Sequence, residues 1–106
     1  MNPRTLTPSM SLLLAFEAAA RHESYTRAAH ELSLTQSAVS RQVQILEKML
    51  GMRLFTREGR KVVLTDVGRM YQRELTEALG QIRSATLQAM AFSSGIHSLR
   101  LATLPT

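Results

Sequence analysis

From Val67 to about Ser93 the chain runs without proline, and Gly80 is the one weak point inside that stretch. Within it Tyr71, Leu75, Ala78, Ile82, Ala85, Ala89 and Phe92 recur at alternating spacings of four and three, a heptad-like seam. A helix of that length would extend ~40 Å, too long to bury inside one small domain. The seam therefore predicts a partner, most simply a second copy of the chain, with these side chains at a dimer contact. A helix folded back on the rest of the chain is the alternative. Three seam positions are alanine, which permits close approach but buries less apolar surface than leucine would. Thr65 is placed to cap this helix, and Asp66 to complement its dipole.

Upstream the pattern is helical and more compact. Ser9 can cap a helix running to about Arg21, with Leu13, Phe16 and Ala20 inward. Ser24 can cap a short helix from Tyr25 to about Leu32 that buries Ala28, Ala29 and Leu32. The turn Ser33-Leu34-Thr35 leads into a third helix, Gln36 to Leu50, with Thr35 as N-cap and Gly51 as stop. Val39, Val43, Leu46 and Leu50 form its apolar stripe. Gln36, Ser37, Ser40, Arg41, Gln44 and Lys48 occupy another face, with no carboxylate among them. Hydroxyl, amide and guanidinium groups arrayed this way are the donors and acceptors that read base edges and phosphates in a major groove. A solvated polar face is the bland alternative, but such faces usually include acids.

Two short strands are predicted next, Arg53 to Arg57 and Arg60 to Leu64, joined by Glu58-Gly59. Arg57, Arg60 and Lys61 cluster at the hairpin tip, suited either to phosphates and a minor groove or to simple solubility. The same region carries most of the chain's charge. Between Ser24 and Lys61, Arg27, Arg41, Lys48, Arg53, Arg57, Arg60 and Lys61 stand against Glu31, Glu47 and Glu58, an excess of four out of a net +5. That concentration points to a polyanion-facing surface, with an ordinary solvated basic face as the alternative.

Several chemistries find no support. The chain has no cysteine, which removes disulfides, thiolate nucleophiles and the common zinc-finger patterns. His22, His30 and His97 have no metal-ligand spacing, Ser37 and Ser40 have no evident base nearby, and no glycine-rich phosphate loop is present. No enzyme, metal or cofactor is expected. No apolar run reaches the ~20 residues needed to span a bilayer, and no signal peptide is legible; the protein is expected to be soluble and cytoplasmic, without a membrane partner.

Helix, short helix, polar-faced helix, basic hairpin and long helix, in that order, describe a mainly α chain: a winged helix-turn-helix with a β-hairpin wing and a long C-terminal dimerisation helix. The residues also resemble one family, the LysR-type transcriptional regulators. Leu14-Ala15-Phe16-Glu17-Ala18-Ala19-Ala20 resembles the family's opening helix, and Ser24-Tyr25-Thr26-Arg27-Ala28-Ala29 with Leu32 its second. Thr35 to Val43, Leu46-Glu47 and Leu50-Gly51 resemble its recognition helix. Leu54-Phe55-Thr56-Arg57, Arg60 and Leu64-Thr65-Asp66-Val67-Gly68 resemble its wing and linker start. Two departures stand out: Tyr25 in place of the usual Phe, and Ser37 where many members carry Pro.

The resemblance implies a winged helix-turn-helix over residues 1–65, a linker helix over 66–93, and over 94–106 a hinge and first strand of an effector-binding domain otherwise absent. It further implies a bacterial, nucleoid-associated DNA binder, homodimeric through the linker helix and tetrameric at full length, with a small-molecule effector bound only by the C-terminal domain. Carried over by position, Gln36, Ser37, Ser40 and Arg41 would face the major groove, with Gln44 on the same face. Arg60 would contact the adjacent minor groove, and Thr26 and Arg57 would position phosphates. The expected function is sequence-specific binding of duplex DNA at an interrupted palindrome. A coiled-coil protein-interaction module with a basic surface is the competing class, disfavoured because an adaptor has no use for the Gln/Ser/Arg face and basic hairpin together. An RNA-binding module would need exposed aromatics for stacking.

Overall fold

The computed structural model describes residues 6–93. The element order is α1 (Met10–His22), α2 (Tyr25–Leu32), α3 (Gln36–Leu50), β1 (Phe55–Glu58), β2 (Lys61–Leu64) and α4 (Asp66–Ser93). This is the winged helix-turn-helix expected from the sequence. The strand anticipated near residues 99–104 lies outside the described residues.

Small side chains set the spacing of the helices. Ala15, Ala18, Ala19 and Ala20 on α1 and Ala28 and Ala29 on α2 are all buried, so α1 packs closely on both α2 and α3, and α2 also packs on α3. Phe16, Val39, Val43, Leu46 and Leu54 are fully enclosed, each burial favouring folding by about 1.5–3 kcal/mol. Aromatic rings tie the elements together. Phe16 lies 5.5 Å from Phe55 on β1 and 5.4 Å from Tyr71 on α4, and Tyr25 meets Phe55 edge-on at 5.8 Å.

The helix ends follow their capping chemistry. Thr35 Oγ1 accepts from the Ala38 N–H at 3.1 Å, Ser24 Oγ from the Arg27 N–H at 3.1 Å, and Gly51 closes α3 at φ 77°. Ser33, in the helix-turn-helix corner, ends α2 in the left-handed region at φ 57°, its N–H directed to Ala29 and His30 carbonyls. Ser9 departs from expectation. It sits at the N-cap of α1, but its hydroxyl caps nothing and lies 3.3 Å from the Ser11 hydroxyl. Leu13 and Leu32, expected inside, are only half-buried.

The wing is antiparallel with Phe55↔Leu64, Thr56↔Val63, Arg57↔Val62 and Glu58↔Lys61 in register. Its loop is therefore Gly59-Arg60, one residue beyond the predicted Glu58-Gly59. Only Gly59 of the pair has positive φ, 65°, the position at which a type II′ hairpin takes glycine. The first strand also begins later than predicted, at Phe55 rather than Arg53. The physical reason is an anchor: Glu47 Oε2 on α3 accepts from the backbone N–H groups of Leu54 at 2.7 Å and Phe55 at 3.2 Å. Thr65 secures the other side. Its hydroxyl donates to the Arg53 carbonyl at 2.9 Å and accepts from the Gly68 N–H at 3.0 Å, and its own N–H meets the Leu54 carbonyl at 2.9 Å. Gly68 sits so close that a Cβ there would stand 2.2 Å from the Leu54 oxygen.

The chain divides into two compact units, Met1–Leu75 and Thr76–Thr106. The division falls inside α4, whose first part joins the core: Tyr71 meets Phe16 and Leu75 is buried.

Candidate nucleic-acid interface

The polar residues expected on α3 do share one surface. Gln36, Ser37, Arg41 and Gln44 are exposed and Ser40 is half-buried, while Val39, Val43 and Leu46 fill the core from the other side. This division follows from the helical period: residues three and four apart share a side. The α3 N-terminus is also left without an acidic side chain in its first turn.

Thr26, Gln36, Arg57, Arg60 and Lys61 converge from α2, α3 and the wing on one cleft of about 160 Å³, with Tyr25 in its wall. Arg57 reaches it because alternation along β1 puts it on the same side of the ribbon as Phe55, with Val62 opposite. Glu23 is the one acid among the lining residues. Arg60 lies in the hairpin loop itself. Among the described residues, Thr26, Gln36, Ser40, Arg41, Gln44, Arg57, Arg60 and Lys61 make no side-chain hydrogen bond or ion pair within the chain. Ser37 has a single, longer contact, its Oγ 3.3 Å from Thr35 Oγ1.

A different arrangement occupies the α1–α2 corner. Arg21 donates to both carboxylate oxygens of Glu17, at 2.9 and 3.0 Å, and to both of Glu31, at 2.9 and 2.7 Å. His22 Nε2 completes the cluster 2.6 Å from Glu31. The Arg21 hydrogen bonds, followed by the one from His22, pull the Glu31 carboxyl down to about 2. Hydrogen bonds to Glu17 and then Glu31 hold the Arg21 guanidinium still more firmly charged than usual. Glu17 is 7% exposed, the only buried charged residue among those described.

The seam residues separate along α4. Tyr71 is half-buried against Phe16 and Leu75 is buried, so these two already serve the core of their own chain. Ala78, Ile82, Ala85, Ala89 and Phe92 are exposed. Among the described residues no cluster of His, Asp and Glu is placed to hold a metal ion, and no helix is long and apolar enough to cross a membrane.

Residues 10–69 match the family of bacterial regulatory helix-turn-helix proteins of lysR type. The chain belongs to the LysR family. It is 45% identical over 87 residues to the glycine cleavage system transcriptional activator of Escherichia coli strain K12, covering 82% of this chain and 28% of that protein. It is 46% identical over 101 residues to the RuBisCO operon transcriptional regulator of Allochromatium vinosum, covering 92% of this chain and 33% of that protein. The chain thus spans about a third or less of the length of these LysR-type relatives. Among solved structures, the BenM DNA-binding domain in complex with benA site 1 DNA superposes with a TM-score of 0.77 at 30% identity, over 83% of this chain and 99% of that one.

Sequence reasoning missed Glu47 and Tyr25 as parts of this region. Glu47 entered the sequence reading only in the charge count and the family resemblance, since its partners Leu54 and Phe55 come to it through the fold. Tyr25 carried one signal, its departure from phenylalanine.

Proposed function

We propose that this chain is the DNA-reading part of a LysR-type transcriptional regulator and binds duplex DNA sequence-specifically as a homodimer. The observation that carries the reading is a run of donors, without side-chain partners among the described residues, on α3 and on the cationic wing: Gln36, Ser40, Arg41 and Gln44, then Arg57, Arg60 and Lys61. Exposed guanidinium and amide groups with no internal partner are free to bind base edges and phosphates. The solved complex of the BenM DNA-binding domain with DNA supports the same assignment. In this reading Gln36, Ser37, Ser40, Arg41 and Gln44 meet the major groove. Arg60 enters the neighbouring minor groove, and Thr26 and Arg57 hold phosphates.

The exposed part of the seam, Ile82, Ala85, Ala89 and Phe92 with Ala78, pairs two copies, so two α3 helices meet an interrupted palindrome with half-sites about one turn or a multiple of it apart. The longer protein assembles as a tetramer and takes its small-molecule effector on a C-terminal domain.

Selection of binding sites from a randomised duplex pool, followed by titration across salt, tests the reading. An enriched inverted repeat with a log–log salt slope of about 0.9 per phosphate neutralised is the expected result. Salt-sensitive binding without an enriched motif would reduce the chain to a general polyanion binder. For the dimer, Ile82→Asp should shift sedimentation toward monomer and weaken binding to the two-half-site duplex; an unaltered dimer would refute the seam.

A further inference from the structure

Tyr25 carries a hydroxyl that the fold itself does not use. Its ring does the packing, edge-on to Phe55 at 5.8 Å, and a phenyl ring would pack there equally well. The side chain is half-buried, yet its hydroxyl has no hydrogen-bond partner among the described residues. The hydroxyl is not sealed in the core, where Gln42 Oε1 is the one buried side-chain polar atom without a partner among the described residues; it is open to a ligand from outside the chain. The surroundings specify the ligand's chemistry. Tyr25 shares its cleft with Arg57, Arg60, Lys61, Thr26 and Gln36, three cations and two neutral donors against the single carboxylate of Glu23, a lining still suited to an anion with several acceptor oxygens. Burial, and after it the negative charge of Glu47, push the Tyr25 hydroxyl above its ordinary value against the opposing pull of Arg57 and Arg53. It therefore remains a protonated donor at neutral pH.

We propose that the Tyr25 hydroxyl donates a hydrogen bond to a phosphodiester oxygen of duplex DNA seated in the α2–wing cleft, with Arg57 supplying the adjacent positive charge. The inference rests on the DNA-binding reading above and adds a positioning contact to it. A bond to a phosphate carries no base information; it fixes how α3 is set relative to the backbone.

The test is Tyr25→Phe, which keeps the ring and removes one oxygen. Kd for the selected operator and for an unrelated duplex should rise by a common factor of about tenfold, the scale of a hydrogen bond to a charged acceptor. The salt slope should not change, because no charge is lost, and the thermal midpoint should be unaltered. A scan of single neutral methylphosphonates along the duplex should then find one position per half-site that weakens the wild type but not Y25F. Equal affinity of Y25F and wild type would overturn the contact. So would a loss confined to one duplex sequence, or a loss that tracks a lower melting temperature. A wild-type chain that binds no duplex is a different result: it would remove the DNA-binding reading itself.

Discussion

Two corners of this small domain use the same side chain in opposite ways. Where α1 meets α2, Arg21 is enclosed by the carboxylates of Glu17 and Glu31 and braced by His22. On the exposed face of α3 and on the wing, Arg41, Arg57 and Arg60 have no carboxylate partner among the described residues. A guanidinium surrounded by acids is a structural tie: its charge is neutralised locally and four of its five N–H donors are occupied. One left without partners keeps its charge and its donors for something outside. The difference shows that the net +5 of the chain matters less than which cations the fold leaves unpaired. Sorting arginines by partner separates framework from interface more sharply than counting them does.

The comparison can be broken from either side. The largest effect is expected from Glu47→Ala, which strips the support beneath the open corner. It leaves the Leu54 and Phe55 N–H groups without their acceptor, at about 1–3 kcal/mol for each orphaned donor. Denaturant titration should register a loss of about 3 kcal/mol, and a change under about 0.5 kcal/mol would contradict the anchor. Next comes Arg41→Ala, expected to weaken specific DNA binding by roughly 1–3 kcal/mol while the melting temperature stays put. Wild-type affinity in that variant would remove Arg41 from the interface.

Arg21→Ala should give the mirror image. It leaves the buried Glu17 carboxylate unpaired, but Arg21 is itself 46% exposed, so solvent limits the cost to about 1–2 kcal/mol of stability. DNA affinity of the folded variant should be unchanged; a larger effect on binding than on stability would erase the distinction between the two corners. The smallest effect concerns acid. Glu31 falls from its ordinary 4.5 to about 2 in the folded chain. The stabilisation is thus fully present above pH ~4.5 and is lost as pH drops toward ~2. Because the side chain is partly exposed, it amounts to less than about 1 kcal/mol. Glu31→Gln should flatten stability across that window, and parallel acid profiles for the two proteins would show the cluster to be idle.

These corners were not equally legible in the sequence. The α3 face could be read residue by residue, because Thr35, Gly51 and a stripe with helical period fix both the ends and the rotation of the helix. The wing was legible to within one residue. Gly59 signalled a tight turn, but glycine suits either central position of a two-residue loop, and only the pairing of Glu58 with Lys61 decides which. The arginine ties were hidden. Glu17 and Arg21 are a visible i, i+4 pair, but Glu31 joins them only after α2 folds back beside α1. The seam on α4 was only half legible for a related reason: a heptad pattern does not say that its first member, Tyr71, also meets the domain's own Phe16. The functional reading leaned on the resemblance to the LysR family as well as on the residues, since the acid-free face alone was compatible with a merely solvated helix.

The seating of Gly68 against Leu54 governs how this reader could be recombined with other parts. With the Leu54 oxygen where a Cβ at position 68 would intrude at 2.2 Å, wing and helix start behave as a single casting. A cut at residue 65 would discard that joint together with Tyr71 and Leu75 and uncover Phe16. Any splice to a foreign dimerisation helix has to fall beyond Leu75, in uninterrupted helix. There each residue added or removed turns everything downstream by about 100°, so the phase of the splice, rather than its chemistry, would decide the direction in which the appended part faces.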